Sequence, residues 1–160
     1  MAKAWLICKK GLWWLFILQF VYIIFCKWIN PPITLTQTAS LLQGNGLHRD
    51  YISLDEMSPN IKLAVMASED QLFPEHNGFD IKAIKKAMNY NKKHVTKVRG
   101  ASTISQQVAK NVFLWQGKSL FRKGLEVYFT FMIEKVWSKK RILEMYLNVA
   151  EMGKGIFGVQ

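Results

Sequence analysis

An apolar segment near the N-terminus limits most strongly what this chain can fold into. Residues 12–26 read LWWLFILQFVYIIFC and contain one strongly polar residue, Gln19. At about 1.5 Å per residue, a helix over residues 11–29 is just long enough to cross the apolar core of a bilayer. Tryptophans near both ends of the segment suit the two membrane interfaces. The pattern therefore predicts a transmembrane anchor at residues 11–29.

The flanking residues predict how this anchor is oriented. A cleaved signal peptide is the alternative, but the following sequence FCKWINPP offers no small-x-small cleavage site. Lys3, Lys9 and Lys10 precede the segment, whereas only Lys27 follows it closely. The positive-inside rule places residues 1–10 in the cytoplasm and the rest of the chain outside it. An extracytoplasmic location argues against nucleic acid as a partner.

The charge of the chain is strongly positive and unevenly distributed. The formal net charge is +11 over 160 residues. Between Ile81 and Leu125 there are eleven lysines and arginines and no acid, and this run is bounded by Asp80 and Glu126. Such a run is either a solvated face or a local binding site for an anion.

Beyond a weakly patterned linker at residues 30–49, residues 50–160 are predicted to be mainly helical. Four helix starts are marked by residues that cap helix N-termini. Two of them have further support, from proline in the first turn and from the spacing of a capping box. The caps are Ser58 before Pro59, Asp80, Thr103 with Gln106, and Ser138.

The sequence EDQLFPEHNGFD, at residues 69–80, places a carboxylate where helices usually disfavour one. Glu69 lies at the C-terminal end of a predicted buried helix, where the helix dipole is negative. This position makes Glu69 a candidate general acid or base, although a frayed and solvated helix end explains it equally well. The N-terminal amides of the helix that starts after Thr103, with Ser102 and Thr103, are a candidate phosphate site.

The segment SLFRKGLEVYFTFMIEKVW, at residues 119–137, is apolar nearly all round and predicts a buried helix. Its polar residues fall at successive i, i+4 positions and form one stripe. Buried charges must be paired or must line a cavity, so the stripe indicates either a structural ion pair or a site. The stripe consists of Arg122, Glu126, Thr130 and Glu134.

Two other patterns carry no prediction. The sequence GKGIFG at residues 153–158 matches G-x-G-x-x-G, but it follows a helix rather than a strand, so no nucleotide-binding unit forms around it. Four possible ligands between residues 70 and 80 have no familiar metal-binding spacing, so no metal site is predicted. These are Asp70, Glu75, His76 and Asp80.

Four ordered motifs resemble those of the peptidoglycan glycosyltransferases, in particular the membrane-anchored monofunctional biosynthetic transglycosylases of bacteria. The first motif is similar to Glu69, Asp70, Phe73, His76, Gly78, Phe79 and Asp80. The second is similar to Gly100, Ser102, Thr103, Ile104, Gln106, Gln107, Lys110 and Asn111. The third resembles Arg122, Lys123 and Glu126, and the fourth resembles Ser138, Lys139, Ile142, Tyr146, Leu147 and Asn148.

The resemblance implies an all-α, lysozyme-like lobe that polymerises lipid II into β-1,4-linked glycan strands. Glu69 would be the general base, and Glu126 the second important carboxylate. The substrate and its pyrophosphate would be bound by Ser102, Thr103, Gln106, Gln107, Lys110, Asn111, Lys118, Arg122 and Lys123. Supporting roles fall to Asp70, Phe73, His76, Gly78, Asp80 and Gly100. Lys118 stands where the family commonly has an arginine.

The resemblance also implies partners and a location. The partners would be lipid II, the growing glycan chain, the membrane and other cell-wall synthesis proteins, and the location the bacterial inner membrane with the domain in the periplasm. No cofactor is implied with certainty, and a role for a divalent cation stays open. Family members continue well beyond GIFGVQ, so the domain at 50–160 is expected to be incomplete. An inactive truncated product or a lipid II-binding scaffold is therefore one alternative, and a lysozyme-like hydrolase is another.

Overall fold

The computed structural model describes residues 2–94 and 97–159, which form seven helices and a small sheet within those ranges. The first residue of the predicted segment 1–10 and the last residue of the predicted domain 50–160 lie outside the described residues. The helices are α1 (Ala2–Phe25), α2 (Leu35–Leu42), α3 (Pro59–Glu69), α4 (Ile81–Lys93), α5 (Ile104–Phe113), α6 (Leu120–Val136) and α7 (Lys139–Val149). The predicted mainly helical class is confirmed.

Helix α1 is long and apolar enough to cross a membrane, by length and composition, over Trp5–Phe25. Most of its side chains are exposed, as Trp13 and Leu15 illustrate. The helix ends at Phe25, before the end of the predicted segment at Ile29, and residues 26–28 form a turn. The C-terminal end of the helix is buried against the rest of the protein through Ile23, so α1 and the other helices share a core.

The segment predicted as a linker, residues 30–49, contains α2 and a short strand. Thr34 caps α2, and Gln37 completes a capping box with it. The amide oxygen of Gln37 also accepts a hydrogen bond from Arg49 at 2.9 Å. This capping box has the same spacing as the one that predicted the start of α5. The short helix α2 was nevertheless not predicted, because two glycines follow it in the sequence.

The core forms where α5 packs against α6 and α7. Helix α5 contributes Ile104, Val108 and Val112, all essentially buried. Helices α6 and α7 bring their apolar residues to the same cluster, and the end of α1 joins it. The other main members are Ile133, Trp137, Ile142, Met145, Leu147, Val149, Ile23 and Cys26.

Three short strands, which the sequence did not predict, form a sheet in the order β1–β3–β2. Strand β1 (His48–Arg49) is parallel to β3 (Ile156–Phe157), and β2 (Glu151–Gly153) is antiparallel to β3. The β2–β3 turn contains Gly155 at φ +73°, where a Cβ would lie 2.0 Å from the carbonyl oxygen of Asn45. The G-x-G-x-x-G pattern is therefore a hairpin that packs closely against residues 45–46.

Two expectations about helix burial are wrong. Helix α3 buries only Val65, so Glu69 does not end a buried helix. Helix α6 buries its polar stripe and exposes apolar side chains, including Phe121 and Phe131. The charged residues of the stripe find partners on the inward face, and this leaves the apolar face outward.

Candidate functional site

A cleft of about 670 Å³ lies between the end of α3, the loop at residues 70–80, the start of α4 and the start of α5. Both the first and the second sequence motifs contribute to its walls. The lining residues that carry polar groups are Ser68, Glu69, Asp70, Gln71, Asp80, Lys82, Lys86, Ser102, Thr103 and Gln107. The structure thus brings together two motifs that are separated in the chain by residues 81–99.

Glu69 lies on the wall of this cleft and is exposed. One of its carboxylate oxygens, Oε2, accepts a hydrogen bond from Nε2 of Gln107 at 2.8 Å. Gln107 is thereby assigned a specific contact, which its place in a capped amphipathic helix did not require. This hydrogen bond engages Oε2, so Oε1 of Glu69 could accept a proton from a molecule bound in the cleft.

Asp70, the neighbouring acid, is buried at the wall of the cleft and is hydrogen-bonded within the protein. Its Oδ2 accepts a hydrogen bond from the backbone amide of Ile104 at 3.0 Å, and its Oδ1 lies 2.8 Å from Nε2 of His76. The carboxylate therefore sits at the N-terminus of α5, where a negative charge is favourable. This corrects the expected phosphate site there, because Asp70 already occupies part of that helix end.

Thr103 and Gln106 form the predicted capping box of α5, and both side chains are buried. The hydroxyl of Thr103 donates to the carbonyl of Gly78 at 2.7 Å, which joins the loop at residues 70–80 to α5. Phe73, also buried, packs its ring edge-on near His76. These residues hold the cleft in shape, and Asp80 does so by accepting a hydrogen bond from the amide of Ala83 in α4.

A polar cluster beneath the loop was not predicted as a unit. Glu134, whose side chain is almost buried, accepts hydrogen bonds from Ser105 and from Lys139, the latter at 2.8 Å. Lys139 also donates to the carbonyl of His76 at 2.6 Å. The i, i+4 stripe on α6 indicated that Glu134 faces inward, but nothing in the sequence identified Ser105 as its partner.

A second charged group lies on the inner face of α6. Glu126 is buried, and its two oxygens are paired with Arg122, at 2.7 Å, and with Lys123. Burial lowers the pKa of Lys110; the charge of Glu126 opposes this effect, while Arg122 and Lys123 add to it. Three cations therefore share one carboxylate, which leaves an excess of positive charge for an anion. This group, Lys110, Arg122, Lys123 and Glu126, is called the cationic cluster below.

The cleft and the cationic cluster are connected. A smaller recess of about 250 Å³ is lined by Lys123 and Gln106 and shares Ala101 and Ser102 with the cleft. Ser102 is exposed at this shared wall. An elongated ligand could thus contact Glu69 and the cationic cluster at the same time.

The remaining predicted site residues are Gly100, Asn111 and Lys118. Gly100 lines the cleft, and Asn111 is buried and accepts a hydrogen bond from Gln116 at 3.4 Å. Lys118 lies in the exposed loop before α6, and Arg122 fixes this loop through the carbonyl of Gly117 at 2.8 Å. The structure therefore places Lys118 near the N-terminal end of α6 rather than among the residues that line the cleft.

Tyr146 contributes to the surroundings of Glu69. Burial, together with the negative charge of Glu69, raises the pKa of Tyr146 to about 12. The phenol therefore stays neutral at physiological pH. The sequence pattern on α7 placed this residue toward the core, and the structure confirms its burial.

The residues present do not fit a resident divalent cation. Within residues 2–94 and 97–159, no three His, Cys, Asp or Glu residues gather to hold a metal ion. Both oxygens of Glu126 are engaged by cationic side chains, and Asp70 is engaged by His76 and Ile104.

Taken together, these features define a class of protein: a helical lobe fused to a membrane-length helix, with an exposed carboxylate in a cleft and a partly buried cationic cluster nearby. Comparison with known families specifies it further. The family model described as transglycosylase matches residues 36–160, and the chain belongs to this family.

Named relatives agree with this assignment. The chain is 54% identical over 139 residues to a biosynthetic peptidoglycan transglycosylase of Xanthomonas campestris, covering 82% of this chain and 56% of the relative. It is 59% identical over 125 residues to the protein of that name from Haemophilus influenzae, covering 76% and 52%. For Mannheimia succiniciproducens the identity is 64% over 111 residues, covering 69% and 45%. The chain thus spans about half the length of these curated relatives.

Proposed function

We propose that this chain carries the catalytic residues of a peptidoglycan glycosyltransferase that polymerises lipid II into β-1,4-linked glycan strands and releases polyprenyl pyrophosphate. The observation that carries the proposal is the exposed Glu69, oriented by Gln107, in a cleft that shares Ala101 and Ser102 with a recess lined by Lys123 of the cationic cluster. Family membership favours this reading over a hydrolase.

In the proposed reaction, Glu69 acts as the general base. Its carboxylate takes the proton of the 4-hydroxyl of the acceptor sugar while that oxygen forms a bond to C1 of the donor sugar. The bond from C1 to the pyrophosphate oxygen breaks with inversion, and the electron pair leaves with the pyrophosphate. Gln107 holds one carboxylate oxygen by its 2.8 Å hydrogen bond, so the other can be directed at the acceptor.

The cationic cluster would stabilise the departing pyrophosphate. Fixed positive charge acts most strongly where negative charge develops in the transition state. Lys110 is suited to this role because burial disfavours its ammonium and Glu126 is already paired with Arg122 and Lys123, so a bound anion would supply further negative charge beside it. Glu126 would orient Arg122 and Lys123, and Lys118 would contact the pyrophosphate from the loop before α6.

The remaining predicted binding residues divide into two groups. Ser102 lies exposed where it could contact the sugars that pass between the cleft and the recess. Thr103, Gln106 and Asn111 are buried, and we assign them to holding α5 in place.

The proposed location is the inner membrane, with a single span, a cytoplasmic N-terminus and the lobe in the periplasm. The apolar length of α1 and the basic residues that precede its apolar segment at residues 11–29 support this placement. The exposed apolar face of α6 lies beside α1, since Gln19 donates a hydrogen bond to the hydroxyl of Tyr128 at 2.7 Å. A substrate with a lipid tail would be met at this surface.

The test is polymerisation of labelled lipid II by the purified chain in detergent. Glu69→Gln is the variant, and Glu75→Gln, another exposed acid in the same motif, is the matched control. We expect polymer from the parent and from Glu75→Gln, and none from Glu69→Gln. Lipid II binding without polymer from a folded parent would support the scaffold alternative, and fragments released from finished peptidoglycan would support a hydrolase.

A further inference from the structure

The C-terminal end of α1 is capped by side chains that come from the far end of the chain. The indole Nε1 of Trp137 donates to the carbonyl of Ile23 at 2.8 Å. The guanidinium of Arg141 donates twice to the carbonyl of Cys26, at 3.1 and 2.9 Å. Helix α1 has no basic residue in its last turn, so Arg141 supplies the positive charge that favours a helix C-terminus. The anchor is therefore fixed to α6 and α7.

The same face of α7 also holds the segment that leads into α3. Glu144 pairs with Arg141 and accepts a hydrogen bond from the amide of Leu54 at 3.0 Å. Asn148 both accepts from the amide of Ile52 at 3.0 Å and donates to its carbonyl at 2.9 Å. Positions 141, 144 and 148 have the i, i+3, i+7 spacing that places side chains on one helix face.

This segment continues directly into the helix that ends at Glu69. Met57 is buried in the core, and Ser58 caps α3. One face of α7 is therefore hydrogen-bonded both to the end of α1 and to the segment that leads into α3. The side chains of Arg141 and Glu144 are largely buried, so their ion pair and hydrogen bonds are shielded from water.

We propose that Arg141, Glu144 and Asn148, called the anchor clamp, are positioning residues that set the place of Glu69 relative to the membrane helix. The inference rests on the proposed function. The reacting sugar is joined to a membrane lipid through a pyrophosphate, so its height above the bilayer is limited. Misplacing a catalytic group by about 1 Å can cost on the order of 100-fold in rate. A rigid connection between α1 and α3 keeps Glu69 at that height.

The first test does not depend on activity. Spin labels are placed at the exposed Cys8 of α1 and at Lys154→Cys, which is exposed in the β2–β3 turn, and the distance distribution between them is measured in detergent. We expect a narrow distribution in the parent, in Lys140→Ala and in Arg141→Lys, and a distribution at least about twice as broad in Arg141→Ala. Lys140 is the matched control, being an exposed cation on the same helix. An unchanged distribution in Arg141→Ala would overturn the anchor clamp.

The second test separates positioning from simple destabilisation. Lipid II turnover is compared in proteoliposomes and in detergent micelles, where the height of the substrate is less constrained. We expect Arg141→Ala to lose about tenfold more activity in proteoliposomes than in micelles, and Arg141→Lys to recover most of the difference. Equal loss in both would show a structural role only and overturn the proposal. An inactive parent would refute the proposed function, while the distance measurement would still decide on the clamp.

Discussion

Gly78 is the position where a single added methyl group should disturb the site most clearly. The residue has φ +87°, and a Cβ there would lie 2.8 Å from Cγ2 of Thr130 and 2.9 Å from Cγ of Glu134. Neither neighbour can move cheaply, because Thr130 is fully buried and Glu134 is held by Ser105 and Lys139. The loop at residues 70–80 would have to shift away from α6.

The size of the effect follows from these contacts. An L-residue in the left-handed region costs about 1–2 kcal/mol, and overpacking a well-filled site costs about 1–3 kcal/mol. We therefore expect Gly78→Ala to lower the free energy of unfolding by about 3 kcal/mol, which for a chain of this size lowers Tm by about 6–12 °C. Because the carbonyl of Gly78 accepts from Thr103 at 2.7 Å, lipid II turnover should fall as well.

The assay is denaturant unfolding in detergent, in which tryptophan fluorescence monitors the transition. Gly124→Ala is the matched control. Gly124 lies within α6, and a Cβ there meets nothing within 4 Å. Alanine is the better helix former, so this control should gain up to about 1 kcal/mol. If Gly78→Ala stays within about 0.5 kcal/mol of the parent, the close packing of the loop on α6 is refuted.

Three further predictions follow from the buried polar groups. Arg122→Ala leaves the buried carboxylate of Glu126 with Lys123 as its remaining ion-pair partner and should lower the free energy of unfolding by about 3 kcal/mol; the combined change with Glu126→Leu should restore more than half of this, as measured by denaturant unfolding. Lys110→Met should abolish lipid II turnover and yet raise the free energy of unfolding, since the lowered pKa means that burial disfavours the ammonium; lower stability in this variant, measured in the same assay, would contradict the reasoning. Thr103→Ala should cost about 2 kcal/mol through the lost cap and the unpaired carbonyl of Gly78, whereas Thr103→Ser should cost less than half as much in the same assay.

Local signals in the sequence predicted much of the fold. The caps Ser58, Asp80, Thr103 and Ser138 all begin helices, because a cap is a hydrogen bond between residues two or three positions apart. The length of the apolar segment likewise indicated α1. The short α2 and the three strands were missed, since strands of two or three residues are held mainly by pairing between distant segments.

Contacts over long distances in the chain could not be read from spacing. The stripe on α6 predicted that Arg122 and Glu126 face inward. The two residues form an ion pair, which was one of the two interpretations of the stripe, beside a binding site. The hydrogen bond between Gln107 and Glu69 joins residues 38 positions apart, and the caps on α1 come from residues more than 110 positions away. The apolar pattern of α6 was misleading, because Arg122 and Glu126 are buried along with Ile133, whereas other apolar residues such as Phe121 and Phe131 are exposed.

The most direct test of the central claim compares binding with turnover in Glu69→Gln. The equilibrium dissociation constant for lipid II and the rate of chain elongation are measured on the same preparation. If Glu69 is the general base in the cleft, the rate falls by at least about 100-fold while the dissociation constant stays within about threefold of the parent. Retained elongation, or a loss that comes from weaker binding alone, would contradict that role.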